Sequence, residues 1–192
     1  MRIISGTARG RKLFTPARTA GRGVIRPTAD RAREALFSIL GSAVDGARVL
    51  DLFAGTGALG LEALSRGADS ALFVDFLPEA LGLIRRNIEV CGFTAASQVL
   101  VRDLQGGLRL PTPLLPAGGF SLVFFDPPYG QGLGLLMLRD LVSGGMIAPE
   151  ATVVAEDVAK SEYPATINGL QLFDQRRYGD TGFWLYRPTE GI

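Results

Sequence analysis

The sequence predicts an α/β domain on a mostly parallel sheet of seven strands flanked by helices. Three observations carry this. From Ala47 onward, continuous apolar runs alternate with helical periods, the pattern of strands buried on both faces by crossover helices. A glycine-rich turn joins the first run to the first helix of that series. The tail then changes to strand–turn–strand, which predicts a closing antiparallel hairpin.

Arg2–Ser5 and Arg11–Phe14 read as short β stretches of an N-terminal basic hairpin arm spanning residues 1–28, set before a main domain over 29–192. Thr28 is placed to cap a helix over Ala29–Leu40. Arg48–Phe53 reads as a buried strand and Gly57–Arg66 as a helix stopped by Gly67. Ser70–Asp75 is the next strand. Pro78–Cys91 follows as a helix with proline in its first turn and Gly92 past its end. Gln98–Arg102 and Phe120–Phe125 are strands separated by a Gly/Pro/Leu loop over 106–119. Leu133–Val142 is a helix, Thr152–Glu156 a strand, and Leu170–Tyr178 with Phe183–Arg187 the hairpin around Gly179–Gly182.

Composition narrows the chemistry. The 192 residues include one cysteine and no histidine. This excludes a disulfide framework, a Cys-cluster or His-ligated metal, and any mechanism with a histidine base. Cys91, at a helix end, is expected to be a small buried hydrophobe. No apolar run approaches the ~18 residues of a membrane helix. The first residues also lack the features of a signal peptide, so the expected location is the cytoplasm. The net charge of +1 hides an asymmetry. Residues 1–48 hold ten basic and three acidic groups, whereas the rest holds ten basic and sixteen acidic. Such a division suits a basic arm for a polyanion on an acidic body.

The first strand runs into Asp51-Leu-Phe-Ala-Gly-Thr-Gly-Ala-Leu-Gly60, where Gly55, Gly57 and Gly60 match the G-x-G-x-x-G fingerprint. Asp75 closes the second strand, where an acid accepts from ribose hydroxyls. A dinucleotide site fits up to this point. Asp51 argues against it, because a carboxylate at that strand end opposes a pyrophosphate. It favours S-adenosylmethionine, which carries an ammonium, a sulfonium and a ribose. The D-x-x-x-G-x-G pattern resembles the first motif of Rossmann-like methyltransferases, which implies a further role for Asp103 near the adenine amino group.

At the end of the fourth strand stands Asp126-Pro-Pro-Tyr129. The prolines fix φ and remove two N–H donors, leaving a stiff segment of acceptors. Asp126 and the Pro127 carbonyl can accept from an exocyclic amine, and Tyr129 offers a face to a flat base. The segment resembles the [DNS]-P-P-[YFW] motif of methyltransferases acting on planar nitrogens: adenine N6, guanine N2 or a glutamine amide.

Further segments sharpen the likeness: Arg2-Ile-Ile-Ser-Gly, Arg9-Gly-Arg-Lys-Leu13, Arg26-Pro-Thr-Ala-Asp-Arg-Ala-Arg-Glu34 and Tyr178-Gly-Asp-Thr181. With the two motifs above, nearly the whole chain resembles the bacterial RsmD-type methyltransferases. The resemblance implies methyl transfer from S-adenosylmethionine to N2 of one guanine in 16S ribosomal RNA. It implies catalysis by Asp126, Pro127, Pro128 and Tyr129, and cofactor contacts from Asp51, Phe53, Ala54, Gly55, Gly57, Asp75 and Asp103. Arg2, Arg9, Arg11, Lys12, Arg26, Arg31 and Arg33 would meet RNA phosphates. The partner would be 16S RNA, within a 30S subunit or an assembly intermediate, and the enzyme a monomer without metal. The family's frequent second acid after Asp75 is absent, since Phe76 and Leu77 follow. Two other readings stay open. An adenine-N6 or glutamine-amide methyltransferase would share both motifs, but 192 residues leave no room for a large target-recognition region. A non-catalytic RNA-binding module would need neither motif.

Overall fold

A computed structural model describes residues 1–16, 30–128 and 132–189. The expected Thr28 cap, Arg26 and Tyr129 lie outside the described residues. Among these residues one sheet of eight strands runs in the order β3-β2-β1-β4-β5-β8-β7-β6. Its parallel half comprises β1 (Arg48–Leu52), β2 (Ser70–Asp75), β3 (Ser97–Val101), β4 (Phe120–Phe125) and β5 (Ile147–Val158). The antiparallel half adds β6 (Thr166–Ile167), β7 (Leu170–Tyr178) and β8 (Thr181–Pro188).

Two features depart from expectation. The eighth strand, β6, folds back onto β7 through Asn168 and Gly169, both at positive φ (47° and 81°). That is the two-residue geometry whose twist suits a hairpin. The fifth strand starts at Ile147, five positions before Thr152, because Ile147 pairs with Phe120 across a register shift in β4. Pro149 and Glu150, both exposed, mask this segment as a strand in the sequence.

Helices cover both faces. α1 (Asp30–Leu40), α2 (Ala58–Ser65) and α3 (Pro78–Cys91) pack on one side against Val49, Phe73, Phe124 and Phe183. α4 (Leu133–Ser143) packs on the other against Val123, Phe125 and Trp184. α3 stops where Gly92 turns to φ 79° and its N–H returns to the Ile88 and Glu89 carbonyls, a left-handed cap. Cys91 is buried, as its apolar role requires, and burial pushes its thiol pKa up.

The first sixteen residues lie on this body. Arg2 bridges Lys12 in antiparallel fashion, and Ile3, Ala8 and Leu13 are buried in the core shared by α1, α2 and α3. The Ile4 and Ser5 N–H groups donate to the two oxygens of Glu62 at 2.8 and 3.0 Å. Glu62 itself is fully buried in α2. The Ala8 N–H donates to the Ser65 hydroxyl, which in turn donates to the Ser5 carbonyl.

Candidate active site

Strand pleating decides which side chains converge. Leu50 and Leu52 face the α4 side, so Asp51 between them faces α2. Asp75, one place beyond Val74, faces the same way. Phe125 pairs with Ala155, so Asp126 and Glu156 follow side by side at the carboxyl ends of β4 and β5. Four acids from four adjacent strands thus line one edge of the parallel sheet, where ligands of such folds bind.

The glycine turn is built around two of them. The Gly60 N–H donates to Asp51 Oδ2 at 2.9 Å, tying the first turn of α2 to β1. The Gly55 N–H donates to Asp75 Oδ2 at 2.9 Å, and the Phe76 and Leu77 N–H groups donate to Asp75 Oδ1 at 2.8 and 3.0 Å. A carboxylate has about four acceptor directions, so Asp75 keeps room for roughly one more donor. Its first task is to hold the loop. Phe53 enters the turn at φ 56°, a left-handed conformation that costs a bulky residue about 1–3 kcal/mol. Gly55 (φ 59°) and Gly57 (φ 74°) adopt it without that penalty. Ala54 anchors to β2 through its N–H on the Val74 carbonyl.

Electrostatics follow from this burial. Asp51 is 2% exposed. Desolvation pushes its pKa up to about 8, the Gly60 N–H opposes that rise, and the charges of Asp75 and Asp126 add to it. A buried carboxyl group beside other acids favours a cationic partner over a phosphate. The residues present therefore fit a cofactor that carries an ammonium and a ribose without phosphate.

The remaining expected residues divide. Asp103, just past β3, is exposed and accepts the Gln105 N–H at 2.9 Å. Pro127 is buried and Pro128 exposed. Arg2, Arg9, Arg11, Lys12 and Arg31 are exposed. Arg33 differs: it is fully buried, and its Nη2 donates to the Arg2 carbonyl (2.5 Å) and to Asp30 (3.0 Å). Its Nε lies 3.7 Å from Glu62. That guanidinium is committed inside the protein and is withdrawn from the phosphate-binding set.

Sequence reasoning missed three contributors. Asn87 is buried in α3 and donates to the Thr56 carbonyl at 2.9 Å. Glu62, buried in α2, accepts the Ile4 and Ser5 N–H groups. Tyr163 stacks on Trp184 (centroids 4.7 Å, planes 28°) and donates to Asp157 Oδ2 at 3.3 Å. An Asn amid helical apolar positions at Ile84 and Ile88 is the one local signal that marks Asn87.

Parallel sheet, glycine turn and strand-end carboxylates together define the class, a Rossmann-like methyltransferase. The chain belongs to the family described as Conserved hypothetical protein 95, whose model matches residues 1–187. The Bacillus subtilis protein YlbH is 35% identical over 187 residues, spanning 97% of this chain and 98% of its own. Ribosomal RNA small subunit methyltransferase D of Escherichia coli K12 is 33% identical over 192 residues, spanning 100% of this chain and 92% of its own. A solved structure of the Escherichia coli protein yhhF matches with a TM-score of 0.80 and 32% identity, covering 98% of this chain and 97% of that one.

Proposed function

We propose that this protein transfers a methyl group from S-adenosylmethionine to the exocyclic N2 of a guanine in 16S ribosomal RNA, and that it acts as a monomer on a 30S particle or its precursor. The methyl class and the RNA find support in the similarity to small subunit methyltransferase D. The choice of guanine N2 rests on the resemblance to the RsmD-type methyltransferases, and one observation supports transfer to a planar nitrogen. Asp126, just past the end of β4, lies near enough to Asp51 for its charge to oppose ionisation there, which supports reading it as the acceptor for the substrate amine beside the cofactor crevice.

When bound, S-adenosylmethionine supplies the electrophilic methyl group. Asp51 would face its ammonium, Asp75 its ribose hydroxyls and Asp103 the adenine edge. Phe53, Ala54, Gly55 and Gly57 would give it backbone to lie against. An exocyclic amine is a poor nucleophile because its lone pair is delocalised into the ring. Hydrogen bonds from the amine to Asp126 and to the Pro127 carbonyl turn the nitrogen toward the methyl group and favour tetrahedral character. Holding the nitrogen in line is a proximity effect of up to ~7–11 kcal/mol. Pro128 stiffens the segment, and Tyr129 is assigned the stacking face. A base presented this way must leave its helix stack.

The test is transfer of labelled methyl to naked 16S RNA, to 30S particles and to DNA, with wild type and Asp126→Asn side by side. Asp126→Asn keeps the shape and places an NH₂ where an acceptor stood. Losing one charge-assisted acceptor removes ~1.5–3 kcal/mol, a rate loss of roughly 10- to 150-fold. Melting temperature should hold, and cofactor binding should persist with its pH dependence moved down, because one charge opposing Asp51 ionisation is gone. Wild-type rates from Asp126→Asn on 30S particles would remove Asp126 from the chemistry. Label on adenine or on protein would overturn the guanine assignment.

A further inference from the structure

Tyr163 lies between β5 and β6, outside every motif of the sequence. Its ring is held against Trp184 of β8, and its hydroxyl donates to Asp157 at the carboxyl end of β5. A Cβ built on Gly134 would overlap that hydroxyl oxygen. The phenol therefore rests directly on the first turn of α4, at a position where glycine alone leaves room. α4 begins at Leu133, five positions after Pro128. In the chain, β4 directly precedes Asp126-Pro127-Pro128 and α4 is the next helix after them.

We propose that Tyr163 is a positioning residue for methyl transfer: clamped between Asp157 and Gly134, its hydroxyl sets the seat of α4 and through it the geometry of the Asp126-Pro127-Pro128 acceptor segment. This rests on the methyltransferase reading above. Two further facts support it. Burial and Asp157 hold the phenol far above its usual range, with smaller contributions from Tyr186 and from the charge of Asp126 nearby. The phenol thus stays neutral and remains a donor. Asp157 Oδ1 accepts the Val158 N–H at 2.7 Å, which fixes the carboxylate that receives the phenol. The stack on Trp184 sets the ring plane, so the hydroxyl has one place to go.

The experiment is a double-mutant cycle on 30S methylation with Tyr163→Phe and Asp126→Asn. Tyr163→Phe keeps the stack and deletes one neutral hydrogen bond, so kcat should fall roughly three- to tenfold, with little change in KM for RNA or in cofactor affinity. In the Asp126→Asn background the same change should cost less than about twofold, because both residues act through one segment. Asp157→Ala should copy the kcat loss, and Asp157→Asn, which retains an acceptor oxygen, should recover most of it. Unchanged kcat in Tyr163→Phe would overturn the inference. So would equal fold losses with and without Asp126, the mark of independent roles. A wild-type enzyme that transfers no methyl to small-subunit RNA would overturn the functional reading and this inference with it.

Discussion

Asn87 exchanges two hydrogen bonds with the backbone of Phe14, 73 positions earlier: the Phe14 N–H donates to Oδ1 at 2.7 Å, and Nδ2 donates to the Phe14 carbonyl at 3.0 Å. The same amide nitrogen donates to Thr56 in the glycine turn. One buried side chain in α3 thereby joins the basic N-terminal segment to the loop expected to hold the cofactor. The Arg86 guanidinium, one residue earlier, lies 3.4 Å over the Phe14 ring and reinforces that contact.

Asn87→Ala should be strongly destabilising for that reason. It strands the Thr56 carbonyl in a buried site and the Phe14 N–H and carbonyl in a half-buried one, which costs about 2–4 kcal/mol. Urea unfolding measures the loss. Calorimetry should also show weaker S-adenosylmethionine binding, because the Thr56 turn loses an anchor. A stability change under about 0.5 kcal/mol would mean that Phe14 finds other partners.

Gly60→Ala sets two effects against each other. Within α2, alanine is favoured over glycine by about 1 kcal/mol. A Cβ at Gly60, however, would overlap the Phe73 ring and come 3.1 Å from Asp51 Oδ2. Phe73 is fully buried and cannot swing aside. Overpacking costs about 1–3 kcal/mol, so the steric term wins. The melting temperature should fall, and cofactor affinity with it. A raised melting temperature would show that the ring relocates freely.

How much of this was legible in sequence depends on what kind of signal each residue leaves. Placement of Asp51, Asp75 and Asp126 at the carboxyl ends of strands was readable because each acid lies late in an apolar run that gives way to glycine or proline within a few residues. The eighth strand was missed although Asn168-Gly169 is a strong hairpin signal, since only two residues, Thr166 and Ile167, precede it as strand. Arg33 was counted as basic surface, yet it is buried against Glu62 and the Arg2 carbonyl. A charge count records no partner, and this partnership spans the arm, α1 and α2. Tyr163 left no signal at all. Its neighbours Trp184, Asp157 and Gly134 are scattered along the chain and meet only through sheet order.

Asp51 makes cofactor binding and stability depend on pH in opposite directions. Folded, it keeps its proton to about pH 8; unfolded, it releases it near the ordinary value of 3.8. Between those limits the folded state holds the extra proton, so this group's contribution to stability declines as pH rises from about 4 to 8. A cationic cofactor prefers the carboxylate, so affinity should rise with pH by up to about tenfold per unit between 6 and 8. Calorimetry in buffers of different ionisation enthalpy should detect proton release on binding. Asp51→Asn should abolish that release and flatten both profiles. An unchanged pH slope in Asp51→Asn would assign the linkage to another group.

The basic arm can be tested without dismantling the fold. Removing it would break the bonds from Ile4 and Ser5 to Glu62 and from Phe14 to Asn87, so a deletion would confuse stability with recognition. Arg9, Arg11 and Lys12 are exposed, and the arm is held by its backbone and its apolar residues. A triple variant, Arg9→Ala, Arg11→Ala and Lys12→Ala, should therefore keep its melting temperature and its S-adenosylmethionine affinity. Its RNA affinity should drop. The slope of log affinity against log salt should flatten by roughly 2–3 units, since each phosphate contact contributes about 0.7–0.9. Filter binding to a 16S fragment from low to high salt reads both quantities. Unchanged affinity with an unchanged slope would show that these three cations meet no phosphate, and that the arm serves the fold alone.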